Sequence, residues 1–337
     1  VEKLGDGLTR AADWLRAQQS RNGAWRDFWT PSGASDEWIT AYVGSALALA
    51  NDAATRAAAV RAWSYLEMTQ HSDGGWGYTA SVPSDADSTS WALVLAQRIG
   101  KGSSRCARKA LAWLQSARRP GGMPTYRDAG EIREYVQAPP SMDFSGWTQV
   151  HACVTAVAAQ VRPLSALLVA DVRAHQQADG SWRGYWWFED SYATAMSVAA
   201  LASSVPSLRQ ADASVEHAGC WAQRQLKEGV PSPFSLSLLV MIRLAAGEHS
   251  KTELAAYSNA LANGQQSDGR WRGAALLRIP RPDTLEPASV RSWQRWCGSP
   301  PPFNVYSPDQ CDIFTTATAY LALQTMSRGA ARDVIVH

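Results

Sequence analysis

Several kinds of protein are excluded by what this 337-residue sequence does not contain. Its apolar runs fall well short of the roughly 20 residues a membrane-spanning helix needs, and VEKLGDGLTR at the start carries no signal-peptide core. A cytoplasmic protein with no transmembrane segment is expected. Lysine plus arginine number 32 against 30 aspartates plus glutamates, so there is no broad basic field for nucleic acid. Five cysteines, Cys106, Cys153, Cys220, Cys297 and Cys311, form no Cys-x-x-Cys pair, which argues against a zinc site or a disulfide framework. Cys297 and Cys311, in one long loop, are the one pair placed to meet. No two aspartates are adjacent in sequence, so the clustered carboxylates that hold Mg²⁺ on a diphosphate are missing. Neither metal nor cofactor is expected. Strand-like alternation of apolar and polar residues is also absent.

Tryptophan is in excess instead, with 16 copies. Four of them close a repeated Gln-x-x-x-Gly-x-Trp unit: QSRNGAW ends at Trp25, QHSDGGW at Trp76, QQADGSW at Trp182 and QQSDGRW at Trp271. Weaker copies, QSARRPGGM from Gln115 and QLKEGVP from Gln225, fill the gaps. The spacing of roughly fifty residues has room for two helices and two loops. Before each turn lies an amphipathic pattern such as GLTRAADWLRAQQ, and after each turn a helix that is apolar nearly all round, such as DADSTSWALVLAQ or DSYATAMSVAALA. A helix without a polar face must be enclosed. Six amphipathic helices around six enclosed ones give an all-α fold, an (α/α)6 barrel or toroid, read as a single domain over residues 1–337. The starts of the inner helices then converge on one mouth, at residues 36–38, 85–88, 146–151, 186–192, 232–234 and 311–316.

Asp85 and Asp87 stand at that mouth, in GGWGYTASVPSDADSTSWAL. An aspartate at a helix start ordinarily serves as a cap, and Asp36, Asp190 and Asp312 fit that role. One suffices. Two carboxylates at i and i+2 beside an apolar cavity repel each other and lose solvation, so one holds its proton at neutral pH and becomes a candidate general acid.

The same stretch resembles the acid motif of the squalene-hopene cyclases and other class II terpene cyclases, where a Gly-Gly-Trp turn, a loop and Asp-x-Asp-Asp-Thr-Ala precede an inner helix. DGSWRGYWWFEDSYATAMSVAAL, residues 179–201, is similar to a second segment of that family, and the glutamine-tryptophan repeats match throughout. The resemblance implies proton-initiated cyclisation of a short isoprenoid or an isoprenoid-bearing natural product. Asp87 would be the proton donor and Asp85 the aspartate that holds it. Ser88 stands where the family has its third aspartate, which removes a charge but leaves a hydroxyl. His151 resembles the histidine that contacts the acid, although a lone histidine on an apolar helix also serves as a core residue. Trp38, Tyr78 and Trp186 resemble the aromatics that stabilise the carbocation; Trp147, Trp187, Tyr192 and Phe314 fall near the same mouth. Trp25, Trp76, Trp182 and Trp271 read as structural staples.

Other readings have less support in the residues. A protein prenyltransferase β-subunit needs a zinc site, and VPSPFSLSL and DIFTTATAY lack its cysteine and histidine. A diphosphate contact through Arg183 or Arg272 would not need metal. An inverting glycosidase needs carboxylates farther apart than i and i+2. The alternative from another class is a toroidal binding or scaffold protein whose acid motif, DADS, has changed role. The partner expected is a hydrophobic small molecule, with the cavity closed by loops 118–145 and 273–310, by a second copy or by a partner subunit. The proline-rich residues 299–308 suit a stiff loop.

Overall fold

A computed structural model describes residues 2–204, 212–229, 231–247, 249–298 and 302–335. Residues 299–301 of the proline-rich stretch lie outside the described residues. Outer and inner helices alternate. Helix α1 (Glu2–Ala17) is followed by α2 (Glu37–Leu47), and α3 (Ala53–Thr69) by α4 (Ala86–Arg98). After α5 (Arg105–Ala117), two short helices, α6 (Gly130–Tyr135) and α7 (Ser145–Thr148), precede the inner α8 (Ala152–Ala158). The remaining pairs are α9 (Arg162–Ala174) with α10 (Ser191–Ser204), α11 (Ala213–Glu228) with α12 (Pro233–Ala246), and α13 (Lys251–Gly264) with α14 (Ile313–Ile335).

The inner helices form a closed ring: α2 packs on α4, α4 on α8, α8 on α10, α10 on α12, α12 on α14, and α14 on α2. Enclosure explains their composition, since every residue of α2 is buried. The outer helix α5, by contrast, buries Ala107, Ala110, Trp113, Leu114 and Ala117, a single face.

The repeat supplies the joints of this ring. In each of the four full copies the glutamine side-chain amide donates both to the glycine of its own turn and to a carbonyl of the next outer helix. Gln19 reaches Gly23 and Ala58, Gln70 reaches Gly74 and Cys106, Gln176 reaches Gly180 and Ser214, and Gln265 reaches Gly269 and Gly7. The last of these grips α1 and closes the circle. Each tryptophan donates its indole N–H to the carbonyl ten residues before it, as Trp76 does to Leu66 at 2.8 Å. Its backbone N–H goes to a threonine of the following inner helix: Thr40, Thr89, Thr194 or Thr316. Met123, in a weaker copy, keeps that last bond with Thr155. Glycine is required because Gly269 has φ +100° and a Cβ there would stand 2.3 Å from the Arg10 carbonyl oxygen. Gly269→Ala is therefore expected to cost about 1–3 kcal/mol in backbone strain alone, read as a lower midpoint in a denaturant titration.

Two small sheets add to the helical fold. Strands β1 (Asp27–Thr30) and β2 (Gly33–Ser35) form an antiparallel hairpin. Among β3 (Leu276–Ile279), β4 (Gln294–Arg295) and β5 (Val305–Pro308), β5 pairs antiparallel with β3 and parallel with β4. Strands of two to four residues are too short to leave an alternation in the sequence, which is why none was expected. All five cysteines are free thiols, Cys297 and Cys311 included. No helix among the described residues is long and apolar enough to cross a membrane.

Candidate active site

The acid loop is held from both sides. Asp85 donates its backbone N–H to the Trp76 carbonyl and Ala86 donates to Thr125, so the start of α4 is fixed between the repeat turn and the loop after α5. Asp85 is the N-cap: Oδ1 accepts the Ser88 backbone N–H and Oδ2 the Ser88 hydroxyl, both at 2.7 Å. Ser88 thus serves Asp85 and not Asp87. Burial pushes the Asp85 carboxyl up to about 7, against these donors.

Asp87 has a different set of neighbours. Its Oδ2 accepts the indole N–H of Trp38 at 2.9 Å, and its Oδ1 has no hydrogen-bond partner among the described residues. Burial, and then the negative charge of Asp85, push it up to about 8. Both Asp85 oxygens accept donors while one Asp87 oxygen accepts none among the described residues, so a negative charge is better supported on Asp85 and a proton on Asp87.

Both aspartates line a cavity of about 730 Å³, counted out to its open mouth. Trp38, Tyr78, Trp147, Trp186 and Trp187 supply its aromatic wall, with Ser88 beside the acids. The rest comes from the mouth loops. Tyr126, Ile132 and Val136 belong to residues 118–145, Leu277 and Ile279 to β3, and Thr30 and Ser32 to the β1–β2 hairpin.

Three residues expected at the cavity stand behind its wall. Phe314 is fully buried, with its ring centroid 5.2 Å from Trp187 in a near-parallel stack and 5.1 Å from Trp38. Tyr192 lies 4.6 Å from Trp187 and accepts the indole N–H of Trp91. Both fill the space between inner helices under the wall. His151 does not meet the acid. The inner segment is broken at residues 149–151, His151 donates its backbone N–H to Met123, and its ring turns toward Thr125 and Gly146. Burial lowers it to about 3, so the imidazole is neutral.

Other aspartates expected as caps act differently. Asp36 makes no side-chain cap, and Asp190 and Asp312 accept the backbone N–H of Gly184 and Gly273 in the preceding loops. Glu37 does the same for Gly77 at 2.9 Å. It is buried, lies 3.4 Å from His71 Nε2, and burial pushes it up to about 8. Gly77 leaves no room for a side chain, because a Cβ would stand 2.2 Å from the Val82 carbonyl oxygen. Another buried carboxylate, Asp27, accepts backbone N–H groups from Gln310, Cys311 and Ile313 and so ties β1 to the start of α14. Burial and the charge of Asp27 push neighbouring Asp309 well up.

The chain as a whole is similar to known proteins. Residues 2–131 match the family described as the squalene-hopene cyclase C-terminal domain. The chain is 32% identical over 126 residues to a terpene cyclase–glycosyl transferase fusion protein of Humicola fuscoatra, and 28% identical over 118 residues to a squalene–hopene cyclase of Zymomonas mobilis. Those segments cover 34% and 32% of this chain but only 9% and 18% of the two longer proteins. Type II terpene cyclase MstE from Scytonema superimposes with a TM-score of 0.90 at 30% identity, over 98% of this chain and 100% of that one. A variant of MstE in complex with its substrate, geranylgeranyl dihydroxybenzoate, gives a TM-score of 0.91 at 31% identity over 97% of this chain and 98% of that one.

Proposed function

The chain belongs to the type II terpene cyclases, and on that premise we propose that it catalyses proton-initiated cyclisation of a short isoprenoid or an isoprenoid-bearing natural product, with Asp87 as the general acid. The observation that carries this reading is a buried carboxyl, Asp87, with one oxygen on the Trp38 N–H and the other unpartnered among the described residues, on the wall of an aromatic-lined cavity. Asp87 gives its proton to the terminal double bond of the folded isoprenoid, whose π electrons form the new C–H bond. The carbocation is consumed by ring closure and finally loses a proton to water at the cavity mouth, and solvent returns a proton to Asp87, so the net reaction is an isomerisation. In a cavity walled mainly by aromatic and aliphatic side chains, the double bond is a base close to the acid. The carboxylate left behind keeps the Trp38 N–H as its donor.

The π-faces of Trp38, Tyr78, Trp147, Trp186 and Trp187 each stabilise the travelling charge by ~1–2 kcal/mol once water is excluded. Tyr192 and Phe314 support that wall from behind. Ser88, in place of a third aspartate, keeps Asp85 ionised and thereby keeps the proton on Asp87. Residues 1–337 act as one catalytic barrel whose own mouth loops close over the substrate, and its unpaired thiols suit the cytoplasm.

The substrate of MstE is the natural first probe. Incubation with geranylgeranyl dihydroxybenzoate should give a product of unchanged mass with fewer double bonds, and EDTA should not slow it. Tight binding without conversion, there and across shorter prenylated aromatics, would favour a binding protein instead.

The pH profile follows from the pair. Turnover requires the protonated form of Asp87, so it should hold at neutral pH and fall as pH rises through about 8. Asp85→Asn removes the negative charge that raises Asp87, so the alkaline limb should move to lower pH. A limb that stays in place in that variant would show that the two carboxyls do not interact.

A further inference from the structure

A string of hydrogen bonds runs from the cavity wall into the barrel. The Trp186 indole N–H, which can only donate, ends on Thr125 Oγ1 at 2.8 Å. Thr125 Oγ1 lies 2.7 Å from His151 Nδ1, and His151 Nε2 lies 2.8 Å from the Gly146 carbonyl oxygen. A carbonyl can only accept, so the imidazole hydrogen is on Nε2 and Nδ1 is the acceptor. The threonine hydroxyl must then donate to Nδ1 and use a lone pair for Trp186. One arrangement of hydrogens satisfies every member of the string, and it requires a neutral histidine.

The string is anchored at its inner end. His151 is 3% exposed, its ring stacks on Tyr185 with centroids 3.8 Å apart, and the Tyr185 hydroxyl donates to the Thr284 carbonyl in the loop after β3. Thr125 also accepts the backbone N–H of Ala86, the residue between the two aspartates. The start of the acid helix and the Trp186 ring therefore depend on a single residue, and His151 sets the direction of its hydroxyl.

We propose that His151 is a positioning residue: through Thr125 it fixes the Trp186 indole in the cavity wall, and so decides how far cyclisation proceeds before the cation is quenched. The inference rests on the proton-initiated reading above. Without the string the indole N–H has no fixed acceptor, the ring can turn about its side-chain bonds, and its π-face no longer meets the charge at the later stages of ring closure.

Four variants test this with geranylgeranyl dihydroxybenzoate as the probe. Thr125→Val keeps the shape but removes both hydrogen bonds, and His151→Leu removes the acceptor. Thr125→Ser keeps the hydroxyl, and His151→Asn places an oxygen near the position of Nδ1. The valine and leucine variants should raise the ratio of partly cyclised to fully cyclised product at least about threefold and lower kcat by about tenfold, with KM little changed. The serine and asparagine variants should restore most of the wild-type ratio. The alkaline limb of the pH profile should stay in place in all four, because the string does not touch Asp87. A folded Thr125→Val enzyme with the wild-type product ratio would overturn the proposal. So would an alkaline limb that moves in the His151 variants, since His151 would then act on the acid. These failures are separate from failure of the cyclase reading, in which the wild-type protein itself would form no cyclised product.

Discussion

Asp87→Asn is expected to lower turnover by about 10³-fold or more, within or beyond the range usual for loss of a general acid. Asparagine keeps the shape, and its amide carbonyl can still accept the Trp38 indole N–H, but it has no proton of useful acidity. The fold should survive, because the substitution removes a group whose ionised form is costly to bury. Thermal unfolding measured beside the rate separates the two effects. An unchanged midpoint with turnover lost is the expected pair of results. Near-wild-type turnover would remove Asp87 from the mechanism.

Trp38→Phe should produce the second largest loss. Among the described residues the indole N–H is the one hydrogen-bond donor to the Asp87 side chain, at 2.9 Å, and it becomes a charge-assisted bond only after the proton has left. Such a bond to an ion contributes about 1.5–3 kcal/mol, so kcat should fall roughly 10- to 100-fold, with a smaller effect on substrate binding. Phenylalanine preserves an aromatic face, so the product mixture should change less than the rate. The alkaline limb should move to higher pH, because the bond to Trp38 holds Asp87 down. If instead KM rose and kcat stayed, Trp38 would be acting as a wall residue alone.

The ring was legible because its joints recur. Glutamine, glycine and tryptophan at fixed spacing each do one job four times, and that periodicity survives in the sequence. Asp85 and Asp87 were legible by a different signal, two carboxyls at the start of an apolar helix. Glu37 carries a similar signal beside Asp36, but it accepts the Gly77 N–H and does not line the cavity. The division of labour within the acid pair was not legible. Ser88 reads as a lost aspartate until its hydroxyl and N–H are seen on Asp85.

Thr125, Tyr126, Ile132, Leu277 and Ile279 line the cavity from loops that occur once each, so no repeat marks them. Tyr192 and Phe314 lie at inner-helix starts as expected, but proximity to the mouth does not determine whether a ring faces the cavity or packs behind it. His151 was placed by analogy of position. The break at residues 149–151 turns its ring away from the acid, and nothing in the sequence announces that break.

The most direct test of proton initiation is turnover in heavy water. With geranylgeranyl dihydroxybenzoate as substrate, Asp87 exchanges its proton with solvent before each reaction, and the first bond formed at the isoprenoid terminus is then C–D. The cyclised product should carry one deuterium at that terminal position, resistant to back-exchange, while recovered substrate carries none. Cyclised product with no deuterium on carbon would contradict the account.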